Sequence, residues 1–532
     1  MKQFIEKYRD EILGTLSGFD RLVFRAQPRR LNALKWDGER KLMVARGMEE
    51  YFWQNQMPFT KFGDHAKEVS DRLKENFLKR LEKEKVPIEY LRDSNINKDK
   101  RAREIAAKRG TASGPICGFT AMEPCPTFEY TKTRIITRKR PCYVVYQYEM
   151  HPVWGFMYAR MQTWFPFQMQ VGINGREWLA RQMDREKMGY QQEGNCFVWI
   201  EDFGRAQELM EEQQKTDWAG RLQEVGEQMN PFHEEIFEKF PTENYWTCYQ
   251  SEWATDIVFR KAEFLKRQKQ IFVRHAMENF HCVDILHYFG RRVKKEVPQR
   301  FQGQLEFNLK QYEEGERVKF WMKGNSTKFY DKAYSERGSV LRAAETTLNN
   351  VSGFRAYRAK EGGDPEDLQW RCLRKGIADL HRRAEICQGV NDRLVDSLAS
   401  VDDSRRVEEL IAAVQEPVRW ERRRVRALEP FGKDRALLQA ILDGRFQSQD
   451  IRNRDLQTIL YDGPAATPAE QRRRSAAISR KLRLLRAHGV IHKIAGRHLY
   501  RVSLQAQPTL IAVMTAAQIS VQEINALREQ AA

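Results

Sequence analysis

Apolar positions recur along this chain with a helical period in some stretches and an alternating period in others, and each stretch predicts an element. Phe4, Tyr8, Ile12 and Leu16 predict an amphipathic helix, Phe19-Asp20-Arg21-Leu22-Val23-Phe24 a strand, and residues 39–54 a second helix. Ala66, Val69, Leu73, Phe77 and Leu81 mark a third helix, and a strand follows over 86–91. From 114 to 175 the pattern becomes β and aromatic. Tyr143, Tyr146, Tyr148, Trp154, Phe156, Tyr158, Trp164, Phe165 and Phe167 crowd two or three strands, with Pro152-Val153-Trp154-Gly155 as the turn. A helix over 176–188, a strand over 195–200, a polar helical stretch over 203–240 and a mainly helical region over 245–289 come next. Strands return over 304–350 around the turn Lys323-Gly324-Asn325-Ser326, and residues 368–416 read as helical. There Leu380, Ala384, Cys387, Val390 and Leu394 form one apolar stripe, which suits a connector or a dimerisation element equally well.

The stretch 431–503 has the clearest pattern. Leu437, Leu438, Ile441 and Leu442 make one helix ending at Gly444; Leu456, Ile459 and Leu460 make a second behind the cap candidate Asn453, closed by Asp462-Gly463-Pro464. A longer helix runs from Pro468 to His488-Gly489, with Ile478, Leu482 and Leu485 inward and Ser475, Ser479, Arg480, Arg483 and Arg486 largely outward. The period then changes: Val490-Ile491-His492-Lys493-Ile494, a turn at Ala495-Gly496-Arg497-His498, and Leu499-Tyr500-Arg501-Val502 predict a hairpin. Charge sharpens the picture. Between Trp420 and Ser503 nineteen Lys/Arg stand against eight Asp/Glu, a net +11 of the chain's +18, and Glu421 to Arg426 is a cationic strap leading in.

Helix, helix, helix, hairpin is the winged-helix order, and RRRSAAISRKLRLLRAHGVIHKIAGRHLYRV resembles the recognition helix and wing of MarR-type winged-helix proteins. The resemblance covers this domain alone. It implies that double-stranded DNA is bound by Arg472, Arg473, Arg474, Ser475, Ser479, Arg480, Arg483 and Arg486 on the helix and by Lys493, Arg497 and Arg501 on the wing. The alternative is a winged helix used for protein contact only.

The expected fold class is therefore α+β and multidomain. An α/β N-terminal domain (1–113) precedes an aromatic β-rich section (114–202), a helical region (203–303) with a second β unit (304–360), a helical connector (361–426), a C-terminal winged helix (427–505) and a helical tail (506–532).

Composition narrows the function classes. A pI near 9.4 favours a polyanionic partner. No apolar run approaches the ~18 residues of a spanning helix, and no signal-peptide h-region opens the chain, so a cytoplasmic protein without a membrane partner is expected. Eight cysteines without a C-x-x-C pair read as reduced thiols, and His275, His281 and His287, six apart, lack the spacing of a metal clamp. No Walker A segment, dinucleotide fingerprint, Gly-x-Ser-x-Gly elbow or kinase signature is present, which argues against ATP and serine hydrolysis.

A second nucleic-acid surface is suggested by cations beside aromatic rings. Lys98, Lys100, Arg101 and Arg103 lie in KDKRAREIAAKR, and Lys132, Arg134, Arg138, Lys139 and Arg140 in TKTRIITRKRP, just before Tyr146 and Trp154. Rings that stack bases while cations hold the backbone would take single-stranded DNA or structured RNA; a buried sheet core has the same composition and is the commoner outcome.

The run KGNSTKFYDKAYSERGSVLRAAETTLNN resembles plasmid and phage rolling-circle replication initiators. That resemblance implies a nicking Tyr330 or Tyr334, with Asp331 or Glu345 near a divalent metal, Mg²⁺. The His-hydrophobic-His pair of such enzymes is missing, and Arg342-Ala343-Ala344-Glu345 is one residue longer than their pattern. Asp20, Glu123, Glu252 and Asp256 are the further carboxylates that a nickase, recombinase or transposase could gather, with Glu252 and Asp256 placed on one face of a helix. The expected function is nucleic-acid binding, as in a mobile element, plasmid, phage or ribonucleoprotein, with the metal-dependent DNA enzyme as the alternative.

Overall fold

About a third of the described chain lies in strands, and some of them, such as Gly155–Gln162 and Ser339–Leu348, are buried along almost their whole length. The computed structural model describes all residues except 31–43, 94, 281, 292–302, 313–314, 361–363, 365, 400–406, 422, 443–445, 447–449, 495–497, 504–505, 518, 521 and 523–532. The fold is mixed α and β on a large mixed sheet, in keeping with the α+β expectation. Two units are formed: one from 1–14, 256–345 and 388–532, the other from 15–255 and 346–387.

Along the chain the strands are β1 (Ile12–Arg30), β2 (Ile88–Leu91), β3 (Gly114–Thr131), β4 (Arg134–His151), β5 (Gly155–Gln162), β6 (Met169–Asn174), β7 (Tyr190–Glu193), β8 (Cys196–Ile200) and β9 (Thr242–Phe259). They continue with β10 (Gly303–Tyr312), β11 (Gly315–Met322), β12 (Asn325–Tyr334), β13 (Ser339–Leu348), β14 (Arg355–Arg358), β15 (Gln369–Cys372), β16 (Val418–Trp420), β17 (Arg423–Val425), β18 (Ile491–Lys493) and β19 (Tyr500–Val502).

In the unit containing 15–255 the strand order is β9-β1-β6-β5-β4-β3-β2. β2 and β3 pair in parallel, because the helix Lys98–Arg109 carries the chain across between them. That helix lays Ala102 and Ala106 on a floor of Phe119, Tyr146, Tyr148, Phe156 and Tyr158, all buried. β3 and β4 form a hairpin of two 18-residue arms turning at Lys132-Thr133, and the strand-borne rings of the expected aromatic stretch lie on two strands, Tyr143, Tyr146 and Tyr148 on β4 and Phe156 and Tyr158 on β5. Trp154 is 1% exposed and stacks on Trp218 at 5.5 Å. Most rings of this section are core, with Tyr143 and Trp164 half-buried.

In the other unit the order is β10-β11-β12-β13-β9. Lys323 and Gly324 both take positive φ, 48° and 82°, which gives the two-residue turn whose twist matches the flanking strands; Met322 pairs with Asn325 across it. Phe4 of the helix Lys2–Lys7 and Tyr8, which caps it, pack on Phe272 of the helix Ala262–Asn279. Farther along, Ile411, Val414, Leu428, Leu437, Ile441, Leu456, Ile478, Leu482, Leu485, Leu510 and Val513 close a separate apolar core.

Three expectations are corrected. Ile12 and Leu16 belong to β1, since the first helix ends at Lys7 and a 3₁₀ turn, Arg9–Glu11, intervenes. Glu252 and Asp256 lie on strand β9 and not on a helix. In both cases i, i+4 spacing is also an even spacing, which a strand satisfies as well as a helix does. Residues 369–372, read as helical, form β15. The second helix spans Ala45–Gln54, and the predicted start at 39–43 lies outside the described residues. The stripe Leu380, Ala384, Cys387, Val390 and Leu394 is buried within the chain, which leaves it no face for a partner.

Candidate functional site

The C-terminal segment is built from short elements that the sequence signals well. Its first helix is Arg435–Ile441, with Leu437, Leu438 and Ile441 inward. Its second is Asn453–Leu460, where the Asp455 carboxylate accepts from the Arg452 backbone N–H at 3.0 Å. The expected cap Asn453 instead lies inside the helix, and its side-chain amide donates to the Ser475 carbonyl at 2.8 Å and to Ser479 Oγ at 2.9 Å.

The third helix, Pro468–Ala487, starts at a reciprocal cap: Thr467 Oγ1 accepts from the Glu470 N–H and the Glu470 carboxylate from the Ala466 N–H, with proline at the first helical position. Ile478, Leu482 and Leu485 are at most 2% exposed. At about 100° per residue, Arg473, Ala476, Arg480 and Arg483 fall in one sector on the opposite side. All four are exposed. Gly489 at φ 66° ends the helix, and β18 and β19 follow with Ile491 opposite Val502. Ile451 joins the hairpin by a single antiparallel bridge, exchanging backbone hydrogen bonds with Tyr500 at 2.6 and 2.9 Å.

The basic side chains of this segment divide into two groups. Arg474 is bound to Glu470 at 2.7 Å and lies over the Tyr461 ring, Arg486 lies over the Trp420 ring, and Arg501 is bound to Asp450 at 2.8 Å. Arg472 donates weakly to the Pro468 carbonyl, at 3.4 Å. Arg480, Arg483 and Lys493 are exposed and make no ion pair among the described residues. Arg497 lies outside the described residues. Within the strap, Arg423–Val425 form β17, paired with β16, and Arg419, Arg423 and Arg424 are exposed beside Trp420; Arg422 lies outside the described residues. Asn453, Tyr461 and Trp420 are the residues that sequence reasoning did not assign; a lone Asn at a helix start reads as a cap, and ring-over-cation contacts leave no spacing signal.

The second set of cations is divided in the same way. Lys98 is bound to Glu123, Arg101 to Glu89 and Glu104, Arg103 to Glu177, and Arg138 and Arg140 both to Glu129. Lys100, Lys132, Arg134 and Lys139 are exposed without an ion pair among the described residues, the last three on the outer end of the β3–β4 hairpin. Tyr146 and Trp154 are buried and offer no face to a base.

The proposed catalytic side chains are held by cations. Tyr330 is 3% exposed and donates to Glu345 Oε2 at 3.0 Å. Glu345 is bound by Lys328 at 2.7 Å and Arg342 at 3.2 Å, and Arg342 grips both oxygens of Asp256 at 2.8 and 3.1 Å. Burial alone would raise the Glu345 carboxyl, but Lys328 and Arg342 outweigh it and hold it at about 2. Asp331 is bound by Lys269 at 3.1 Å and accepts from Tyr334. Elsewhere Asp20 faces Arg176 and accepts from Asn195, and Glu252 accepts from Gln250. Glu123 takes Tyr146 at 2.7 Å, Arg160 at 2.9 Å and Lys98 at 3.2 Å.

No group of three or more His, Cys, Asp or Glu that could hold a metal ion is found among the described residues. No described helix is long and apolar enough to cross a membrane.

One thiol pair stands out beside Glu123. Cys125 Sγ accepts from Arg160 Nη2 at 3.1 Å. The Cys142 thiol and the Arg160 guanidinium pull the Cys125 thiol down to about 6 against the opposing effect of burial, while Cys142 is pushed up by giving its hydrogen bond to Cys125. No family model, curated protein or solved structure matches the chain.

Proposed function

We propose that this chain is a nucleic-acid-binding protein whose C-terminal segment is a winged helix docked on duplex DNA. The observation that carries the reading is the outer face of the helix Pro468–Ala487. Arg480 and Arg483 project there without an internal ion pair, opposite the buried Ile478, Leu482 and Leu485. Ala476, one turn before Arg480 on the same face, keeps that end of the face low enough for close approach to a groove. Lys493 on the following hairpin supplies a cation to the neighbouring backbone, and Arg473 extends the same sector toward the helix start. The exposed Arg419, Arg423 and Arg424 add positive potential at the helix C-terminal end, where Arg486 meets Trp420.

The test is duplex binding by the full chain across a salt series. Each phosphate contact contributes about 0.9 to the slope of log affinity against log salt. Arg480→Ala with Arg483→Ala is expected to weaken binding and reduce that slope by roughly 2. Unchanged affinity and slope would sink the assignment. The metal-dependent enzyme gains no comparable support, because Tyr330, Asp331, Glu345 and Asp256 are each engaged by an internal partner.

A further inference from the structure

The aromatic platform expected around Tyr146 and Trp154 is buried, yet a smaller ring pair elsewhere in the same unit is open. β14 and β15 form a two-stranded hairpin in which Tyr357 pairs directly with Trp370 and Arg355 with Cys372. Opposite partners and their i±2 neighbours share a face, so Arg355, Tyr357, Trp370 and Cys372 stand together on one side. All four are exposed, Tyr357 by 55% and Trp370 by 64%, with ring centroids 5.7 Å apart at 55°.

The other side of the hairpin is its anchor. Ala356 and Arg358 are buried, and Arg358 donates to the Cys372 carbonyl at 2.8 Å and reaches the fully buried Asp379 at 3.4 Å. Arg374 and Arg382 bind the same carboxylate, at 2.9 and 3.0 Å. The backbone closes the base of the hairpin through Leu373 N–H to the Phe354 carbonyl. A firmly seated hairpin that keeps its two largest side chains in water presents a surface rather than a core.

We infer that Tyr357 and Trp370 are a stacking platform for the bases of single-stranded nucleic acid, with Arg355 holding the adjoining phosphate. Every base has a π-face, so two open rings bind an unpaired strand with little sequence preference, and an unpaired guanidinium beside them supplies the backbone contact. Arg355 makes no ion pair among the described residues. The hairpin also has a polarity. Asp364, Glu366 and Asp367 lie at its tip, where Asp367 binds Arg371 and Asp364 accepts from the Glu366 N–H. The acidic tip repels phosphate, and the strand therefore leaves the rings over Arg355. A proteinaceous partner would gain less from a bare guanidinium next to the rings in a chain that already carries a net charge of +18.

The inference rests on the nucleic-acid reading of the chain but not on its C-terminal helix, and the two fail separately. The probe is short oligo(dT) or oligo(U) added to the full chain. Cys372 is the exposed thiol among the seven described cysteines, so its alkylation rate reports cover of this face. Saturating oligonucleotide is expected to slow that alkylation several-fold. Trp370→Ala is expected to weaken oligonucleotide binding about tenfold, Trp370→Phe to restore most of it, and Arg355→Ala to reduce the salt dependence. Duplex binding through Arg480 and Arg483 serves as the control and is unchanged by these substitutions. Alkylation and affinity that stay flat in every arm overturn the platform and assign the rings to protein docking. A Trp370→Ala loss that Trp370→Phe does not rescue also overturns stacking.

Discussion

Asn453 reaches across from one helix of the C-terminal segment to Ser479 on the next, its amide donating at 2.9 Å, and the same nitrogen reaches the Ser475 carbonyl at 2.8 Å. Gln457 donates to the Asn453 carbonyl oxygen and Gln471 to that of Gln457, so a row of side-chain amides fixes the turn and height of the long helix against its neighbour. Ser479, expected as a DNA contact, is held in this row.

Asn453→Ala should therefore act on the position of the cationic face rather than on its charge. Loss of the three hydrogen bonds of the Asn453 side chain is worth on the order of 1–3 kcal/mol. Duplex affinity is expected to fall several-fold with the salt slope intact, in contrast to the arginine double variant. A reduced slope in Asn453→Ala would show that the amide row does not do the positioning.

The ion-pair set of Glu345 gives a pH signature. Its folded value of about 2 lies below the ordinary 4.5, so its contribution is complete above 4.5 and is lost as pH falls through about 2. Glu345→Gln takes from Lys328 its carboxylate at 2.7 Å and leaves Arg342 only Asp256, and is expected to cost about 3 kcal/mol at neutral pH. Denaturant midpoints of the two proteins should converge as the pH is lowered toward 2. A gap of constant size from pH 7 downward would contradict this.

Cys125 should titrate as the thiolate of the chain. Its ultraviolet thiolate absorbance is expected to be present at neutral pH, to disappear as pH drops through about 6, and to be missing in Cys125→Ser. Arg160→Met removes the guanidinium donor and should move the midpoint upward. Persistence of the full titration in Cys125→Ser would assign it to another group.

A backbone contact predicts a folding defect. A Cβ at Gly175 would sit 1.8 Å from the Phe19 carbonyl oxygen, whereas one at Gly63 would meet nothing within 4 Å. Gly175→Ala is expected to lower stability by about 1–3 kcal/mol, read as a drop in Tm, and Gly63→Ala to leave it unchanged or slightly higher. Equal Tm values for both variants would mean that β1 and the helix Gly175–Glu186 yield easily.

Legibility in the sequence followed the physics of each pattern. The helix Phe62–Lys83 was readable because Ala66, Val69, Leu73, Phe77 and Leu81 mix three- and four-residue steps, which no strand reproduces. Phe4, Tyr8, Ile12 and Leu16 use only steps of four and concealed the start of β1; Glu252 and Asp256 concealed β9 in the same way. The cations of the candidate site could be named one by one, yet their pairing could not, since Asp450 meets Arg501 from 51 positions away. Tyr357 and Trp370 escaped notice because four-residue strands give too short an alternation to register.

The internal pairing of cations has a consequence for discrimination. Every arginine clasped by a carboxylate of its own chain, as Arg474 is by Glu470 and Arg501 by Asp450, is withdrawn from the indiscriminate attraction that any polyanion exerts. What is left is a sparse constellation whose geometry is set by Asn453 and the helix it holds. A ligand that matches the constellation gains all of its charges at once, and a disordered polymer gains them only in part. If the proposed duplex is the ligand, the many genomic sites that compete for it are handicapped by shape as well as by sequence.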